Sequence, residues 1–240
     1  MAASGMSFRP LSDAVSSYIS VLTSDTDEFT QVLPTLVAAV AAAELASAIP
    51  YSVMIKNVSG EALRGINVDF AGRQNYSSIM TDPGHRTIDP GEYRLYFASN
   101  ALHHIAKMSG RNVPGGISVS TILAELAQNP VTVSVDWVID SSGRLIGPDP
   151  HHIFEKLQAE QQARQALASR LALSADPLST LQVTSNVHPG RHHGLWDRDF
   201  YNEQLRRDAN RLLRLSNAGS AAAAANYIKR VNREILITKR

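Results

Sequence analysis

The stretch Val131-Thr132-Val133-Ser134-Val135-Asp136-Trp137-Val138-Ile139, followed by Asp140-Ser141-Ser142-Gly143, decides how the chain reads. Val131, Val133, Val135 and Trp137 share one face of a strand, because alternate side chains point to opposite sides of a sheet. Asp140 to Gly143 then turns the chain, with Gly143 able to take the left-handed conformation without a Cβ penalty, and Leu145 and Ile146 begin a return strand. Working outward, Tyr51, Val53 and Ile55 alternate with smaller or polar residues. Asn57-Val58-Ser59-Gly60-Glu61 turns the chain, and Ile66, Val68 and Phe70 alternate again, which reads as another hairpin. Asp82-Pro83-Gly84 and Asp89-Pro90-Gly91 place proline and glycine where β-turns want them, and Tyr93, Leu95 and Phe97 alternate behind the second. Strands at this spacing predict an α+β protein built on a central antiparallel, Ig-like β-sandwich over residues 32–149.

The flanks read as helical. In residues 1–31, Ser12 or Asp13 can cap a short helix whose apolar positions Val15, Tyr18, Ile19 and Leu22 fall three and four apart, before the polar connection Thr23 to Glu28. Leu36 to Ala48 reads as a helix by propensity or as a first strand by position. Ile117 to Gln128 is likewise open between helix and strand. Residues 150–240 form a helical C-terminal region. Asp149 is its expected N-cap with Pro150 at the first helical position, and a helix runs to about Leu173 with Gln158 to Gln165 largely facing water. Pro177 and Pro189-Gly190 punctuate a loop-rich connection, followed by helices over roughly Asp197 to Leu215 and Ala221 to Ile237.

Tyr51 to Gly60, the strand Val131 to Ile139 and Gly147-Pro148-Asp149 together carry a resemblance over about residues 50–172. The segment resembles uncharacterised bacterial proteins of Acidobacteria type. Those are single β-sandwich domains with an "I-x-N-x-S" hairpin, a mid-domain "PG" turn and a closing "V-D-x-V-x-x-x-D-G-x-x-x-G-P-D" before a helix. Here the closing motif is Val135-Asp136-Trp137-Val138 through Asp140, Gly143 and Gly147-Pro148-Asp149, with two serines between Asp140 and Gly143. The resemblance implies a sandwich and an extracytoplasmic location. It implies no activity and no functional residues.

Composition bounds the chemistry. The 240 residues are 44% hydrophobic, which suffices for a core without staples, and the absence of cysteine excludes disulfides, thiolate nucleophiles and cysteine metal sites. The apolar run Val32 to Pro50 is interrupted by Pro34, Thr35, Glu44 and Ser47, so no transmembrane segment is expected. Met1 to Pro10 lacks the basic patch and apolar run of a signal peptide, and the chain reads as soluble. The net charge of +1 conceals an asymmetry. Residues 1–150 carry 9 Lys+Arg against 14 Asp+Glu, residues 151–190 carry 3 against 3, and residues 191–240 carry 11 against 5. A basic end behind an acidic body points to an anionic partner, or to attraction between the two ends.

Three constellations could carry chemistry. The histidine pairs give a candidate metal site from His151 or His152 with His188, His192 and His193, because neutral imidazole is the commonest metal ligand. Adjacent histidines point in different directions, however, and H-E-x-x-H is absent. Asp136, Asp140 and Asp149 could pair as general acid and base or hold calcium, although turn and cap roles already account for Asp140 and Asp149. No nucleophile elbow, dinucleotide fingerprint or P-loop is present, so no catalytic residue and no cofactor is assigned. In the last two helices Tyr201, Leu205, Ala209 and Leu212 make an apolar stripe, and Arg207, Arg211 and Arg214 a basic one. Lys229, Arg230 and Arg233 extend it. This basic surface is a candidate for a polyanion or partner, its alternative being a solvated face paired with Asp208, Glu203 or the acidic body. Asn57 and Asn75 head N-x-S sequons, and Asn57 reads as a turn residue.

The leading expectation is a non-catalytic binding or assembly module with a protein partner or a second copy of itself. Nucleic-acid binding through the basic C-terminal helices is the alternative, and a metal-dependent hydrolase the third.

Overall fold

The computed structural model describes residues 6–37, 45–71, 74–79, 87–103, 118–129, 131–150, 152–189, 199–215 and 220–239. The chain divides into two units, one of residues 1–80, 86–141 and 146–148, the other of 81–85, 142–145 and 149–240.

The first unit is organised by the strand that the valine alternation announced, Val131–Ile139. Nearly all of its residues are buried, so it lies inside a sheet with both faces covered. Gly65–Phe70 pairs antiparallel with it, and Gln74–Ile79 pairs antiparallel with Gly65–Phe70. Met6–Phe8 runs parallel to Val131–Ile139, with Met6 opposite Val131. A second sheet has the order Ile19–Leu22, Ser52–Asn57, Tyr93–Phe97, all antiparallel. Numbered along the chain, the strands of this unit are β1 (Met6–Phe8), β2 (Ile19–Leu22), β3 (Ser52–Asn57), β4 (Gly65–Phe70), β5 (Gln74–Ile79), β6 (Tyr93–Phe97) and β7 (Val131–Ile139).

Helices and a 3-10 turn complete the described part of the unit. Helix α1 (Asp13–Ser16) is capped by the Ser12 hydroxyl, and α2 (Asp27–Leu36) by Thr26 with Asp27 and Glu28 in its first turn. The 3-10 turn spans Ala46–Tyr51, and α3 (Val119–Gln128) starts on the Ser118 hydroxyl. One apolar cluster joins Val53, Ile55, Ile66, Val68, Val133 and Val135 of the strands to Val15, Leu45, Ala48, Ile122 and Leu126. A smaller one gathers Leu22, Phe29 and Met54.

The Ig-like β-sandwich expectation is therefore overturned. The protein is α+β with two sheets, one of mixed pairing and one antiparallel, and helices and the 3-10 turn supply part of the core wall. The alternation was real but said nothing of pairing. β3 and β4 do not form a hairpin; they belong to different sheets. The turn between them is held by Asn57, wholly buried, whose Nδ2 donates to the Glu61 carbonyl at 2.7 Å and whose Oδ1 accepts the Ser59 amide at 2.9 Å. The helix expected through Ile19 and Leu22 ends at Ser16, because those two residues are buried in β2 opposite Asn57 and Met54. Residues 38–44, within the stretch left open between helix and strand, and the Asp82-Pro83-Gly84 turn lie outside the described residues. The other open stretch is helical from Val119.

The second unit is a four-helix arrangement: α4 (Ile153–Leu173), α5 (Pro177–Ser185), α6 (Phe200–Leu215) and α7 (Ser220–Val231). Ala163, Leu167, Leu171, Leu181, Leu205, Ala209, Leu212, Ala224, Tyr227 and Val231 make its core. Helix α4 begins later than its cap signal suggested, with His152 left-handed at φ 49°. Asp149 still serves the helix end, its carboxylate accepting the Ile153 and Phe154 amides at 2.8 and 2.9 Å. Helix α5 was read as loop, yet Asp176 accepts the Leu178 and Ser179 amides with Pro177 at the first helical position. Nor does the middle of α4 simply face water. Gln161 is buried, donating from Nε2 to the Ile235 carbonyl at 2.8 Å and accepting the Ile237 amide on Oε1 at 3.0 Å. With Arg164 bonded to Glu234 at 2.8 Å, it fixes the chain beyond α7, where β8 (Arg144–Ile146) and β9 (Thr238–Lys239) run parallel.

Candidate functional site

The basic surface is built by α6 and α7. The Asp199 carboxylate accepts the Asn202 amide at 3.0 Å and so satisfies one of the free donors at the start of α6. From there a 3.6-residue period sets the faces. Leu205, Ala209 and Leu212 are buried, and Tyr201 packs partly against the same cluster. Arg207, Arg211 and Arg214 are exposed on another face. In α7, Ala224, Tyr227 and Val231 are buried, while Lys229 and Arg230 are exposed, as is Arg233 in the turn just beyond the helix. Helix α6 thus presents Arg207, Arg211 and Arg214 to water, and α7 with the turn beyond it presents Lys229, Arg230 and Arg233. Exposed Arg206 belongs to the same helix and was passed over because it breaks the spacing of the other three.

Two carboxylates of this region are directed elsewhere. Asp208 is 5% exposed and accepts the Tyr227 hydroxyl at 2.8 Å. Burial, then the Asp208 charge, push that phenol well above its ordinary range, so Tyr227 remains a donor. Glu234 is held by Arg164, with the two side chains 9% and 12% exposed. Among the described residues, none of the six candidate cations has a carboxylate oxygen within 4.0 Å. Among the described residues neither Asp208 nor Glu203, two of the partners that the alternative offered, pairs with Arg207, Arg211 or Arg214. Their polar contacts are local instead. Arg207 donates to Gln204 Oε1 at 3.3 Å, Arg214 to the Asn210 carbonyl at 3.4 Å, and Arg230 stacks 5.3 Å from the Tyr227 ring centre.

Of the metal candidates, only His152 and His188 lie among the described residues. His152 and His188 are exposed, and His152 Nδ1 lies 3.8 Å from Glu155 one turn along α4. His151, His192 and His193 lie outside the described residues. Among the described residues no three histidine or carboxylate groups converge as a metal site. Of the three aspartates, Asp136 accepts the Asn67 amide nitrogen at 3.2 Å, Asp140 is 2% exposed in its turn, and Asp149 caps α4. Asp136 and Asp149 thus each serve a structural hydrogen bond. Among the described residues no helix is long and apolar enough to cross a membrane.

A partly exposed cluster that sequence reading missed lies in the first unit. Glu28 Oε1 accepts both Lys56 Nζ and Tyr93 OH at 2.7 Å, and Lys56 sits 5.3 Å from the Tyr93 ring centre. These bonds, that from Lys56 foremost, hold the Glu28 carboxyl below its ordinary range, and they raise Lys56 in turn. Its three members are too far apart in sequence for any local motif to reveal them.

No family model, no curated protein and no solved structure matches this chain.

Proposed function

We propose that the protein is a non-catalytic binding module whose helical unit docks a polyanion, nucleic acid being the partner class, on the exposed faces of α6 and α7. The observation that carries this reading is the pairing pattern. Six cations, Arg207, Arg211, Arg214, Lys229, Arg230 and Arg233, stand exposed while Asp208 and Glu234 are consumed by Tyr227 and Arg164. A surface of unpaired guanidinium groups binds phosphate through bidentate hydrogen bonds and counterion release. Tyr227 is buried, so its ring is not offered to bases, which favours contact with the sugar-phosphate backbone over stacking.

A mobility-shift titration of labelled duplex DNA tests it, comparing the wild type with one triple variant, Arg207→Gln, Arg211→Gln and Arg214→Gln, and another, Lys229→Gln, Arg230→Gln and Arg233→Gln. Each triple variant is expected to weaken binding whatever the duplex sequence, because the contacts are to phosphate. A wild type that retains no duplex at low salt, or triple variants that retain it unchanged, would refute the reading.

A further inference from the structure

A groove of about 380 Å³ lies between α6 and α7. Its two ends differ in chemistry. Leu212, Leu215 and Ala223 line the end near the helix connection, and Leu215 is 55% exposed there. Arg211, Asn226 and Arg230 line the other end. Seven residues separate Ala223 from Arg230, about 10 Å along a helix at 1.5 Å per residue. The floor is fixed, since Tyr227 is buried with its hydroxyl on Asp208, and Arg230 is stacked against the Tyr227 ring. The groove lining holds two guanidinium groups and one carboxylate, Asp208, which is already hydrogen-bonded to Tyr227, so the lining carries a net positive charge.

We propose that this groove binds a small amphipathic anion. Its carboxylate or phosphate head sits between Arg211 and Arg230, with Asn226 as a further donor, and its alkyl body lies along Leu212, Leu215 and Ala223. The volume falls in the range of small-molecule sites, which are mostly apolar with a few placed polar groups. Guanidinium groups suit both head groups because each offers a pair of acceptor oxygens. The site goes beyond the polyanion reading and bears on it. An occupied groove withdraws Arg211 and Arg230 from the basic surface, so a bound anion competes with nucleic acid.

The test titrates the full chain with octanoate and with octyl phosphate, following Leu215 methyl, Ala223 amide and Arg230 Nε–H signals by NMR. Acetate and octyltrimethylammonium serve as controls. Saturable shifts are expected at all three positions with both anions, and not with the controls. Arg211→Gln with Arg230→Gln should weaken binding about tenfold or more, as expected for loss of charge-assisted hydrogen bonds. Arg170→Gln, on an exposed position of α4 off the groove, should leave it unchanged. Preference between octanoate and octyl phosphate identifies the head group. Equal binding of the ammonium control, absence of saturation, or indifference to the Arg211 and Arg230 changes would overturn the proposal. Duplex DNA binding measured on the same samples separates the two readings: DNA bound without octanoate refutes the groove alone, and octanoate bound without DNA refutes the polyanion surface alone.

Discussion

Replacing Gln161 with leucine tests how the helical unit is held together. The side chain is 4% exposed and makes two hydrogen bonds to the backbone beyond α7, donating to Ile235 O at 2.8 Å and accepting from Ile237 N at 3.0 Å. Leucine keeps the approximate volume but leaves both backbone groups without their partner. Each of the two lost bonds costs about 1 kcal/mol, and a buried amide left unsatisfied about 1–3 kcal/mol, so the sum comes to about 3–5 kcal/mol. Part of this is regained because leucine is cheaper to bury than an amide. Urea unfolding followed by circular dichroism at the helix band gives the global loss, and hydrogen exchange at the Ile237 amide gives the local one. The amide should exchange at least tenfold faster in the variant, since about 1.4 kcal/mol of lost protection corresponds to that factor. Unchanged exchange at Ile237 would show that Gln161 does not pin this segment.

Arg164→Met removes one partner of an ion pair whose side chains are 12% and 9% exposed and strands Glu234, so a loss of about 3–5 kcal/mol is expected in the same unfolding assay. Replacing Glu234 with leucine as well should restore much of it. Gly147 has φ +108°, and a Cβ there would collide with the Asp136 carbonyl oxygen, so Gly147→Ala should destabilise by more than about 1 kcal/mol, whereas a strain-free glycine-to-alanine change stabilises. Thermal unfolding checks this, and a variant as stable as the wild type would contradict the close approach. Glu28 should titrate below its ordinary value of 4.5 by carboxyl NMR. Because its folded value is depressed, its contribution is present above the unfolded value and is lost as pH falls through the folded one. Tyr93→Phe should move the midpoint upward, and a wild-type midpoint at or above 4.5 would contradict the Lys56 and Tyr93 bonds.

Local chemistry was legible in this sequence; pairing was not. Val131–Ile139, Gly143 and Asn57 behave as their residue types dictate, because alternation, positive φ and side-chain capping of a turn are decided within a few residues. The α6 and α7 faces were legible for the same reason, since a 3.6-residue period alone separates Leu205, Ala209 and Leu212 from Arg207, Arg211 and Arg214. Whether β3 joins β4 depends on contacts distant in the chain, here with Ile19–Leu22 and Tyr93–Phe97, which alternation does not encode. Periodicity misled at Ile19 and Leu22, where a four-residue strand mimics helical spacing. Helix α2 carried Thr26 with Asp27 and Glu28 behind it, and α5 carried Asp176-Pro177. Both start signals were read as connections because few large apolar residues follow them in a clear stripe. The inward use of Asp208 and Glu234, which leaves the arginines unpaired, requires Tyr227 and Arg164 from other helices and has no local trace.

The central claim is that α6 and α7 present an unpaired cationic surface to a polyanion. Fluorescence anisotropy of a labelled DNA duplex, titrated with the full chain across a series of salt concentrations, tests it most directly. If all six cations meet phosphate, the logarithm of the binding constant should fall against the logarithm of salt with a slope of about −5, and each triple glutamine variant should remove about half of it. Binding whose slope is flat, or identical in the wild type and the variants, would place the interaction elsewhere and contradict the account.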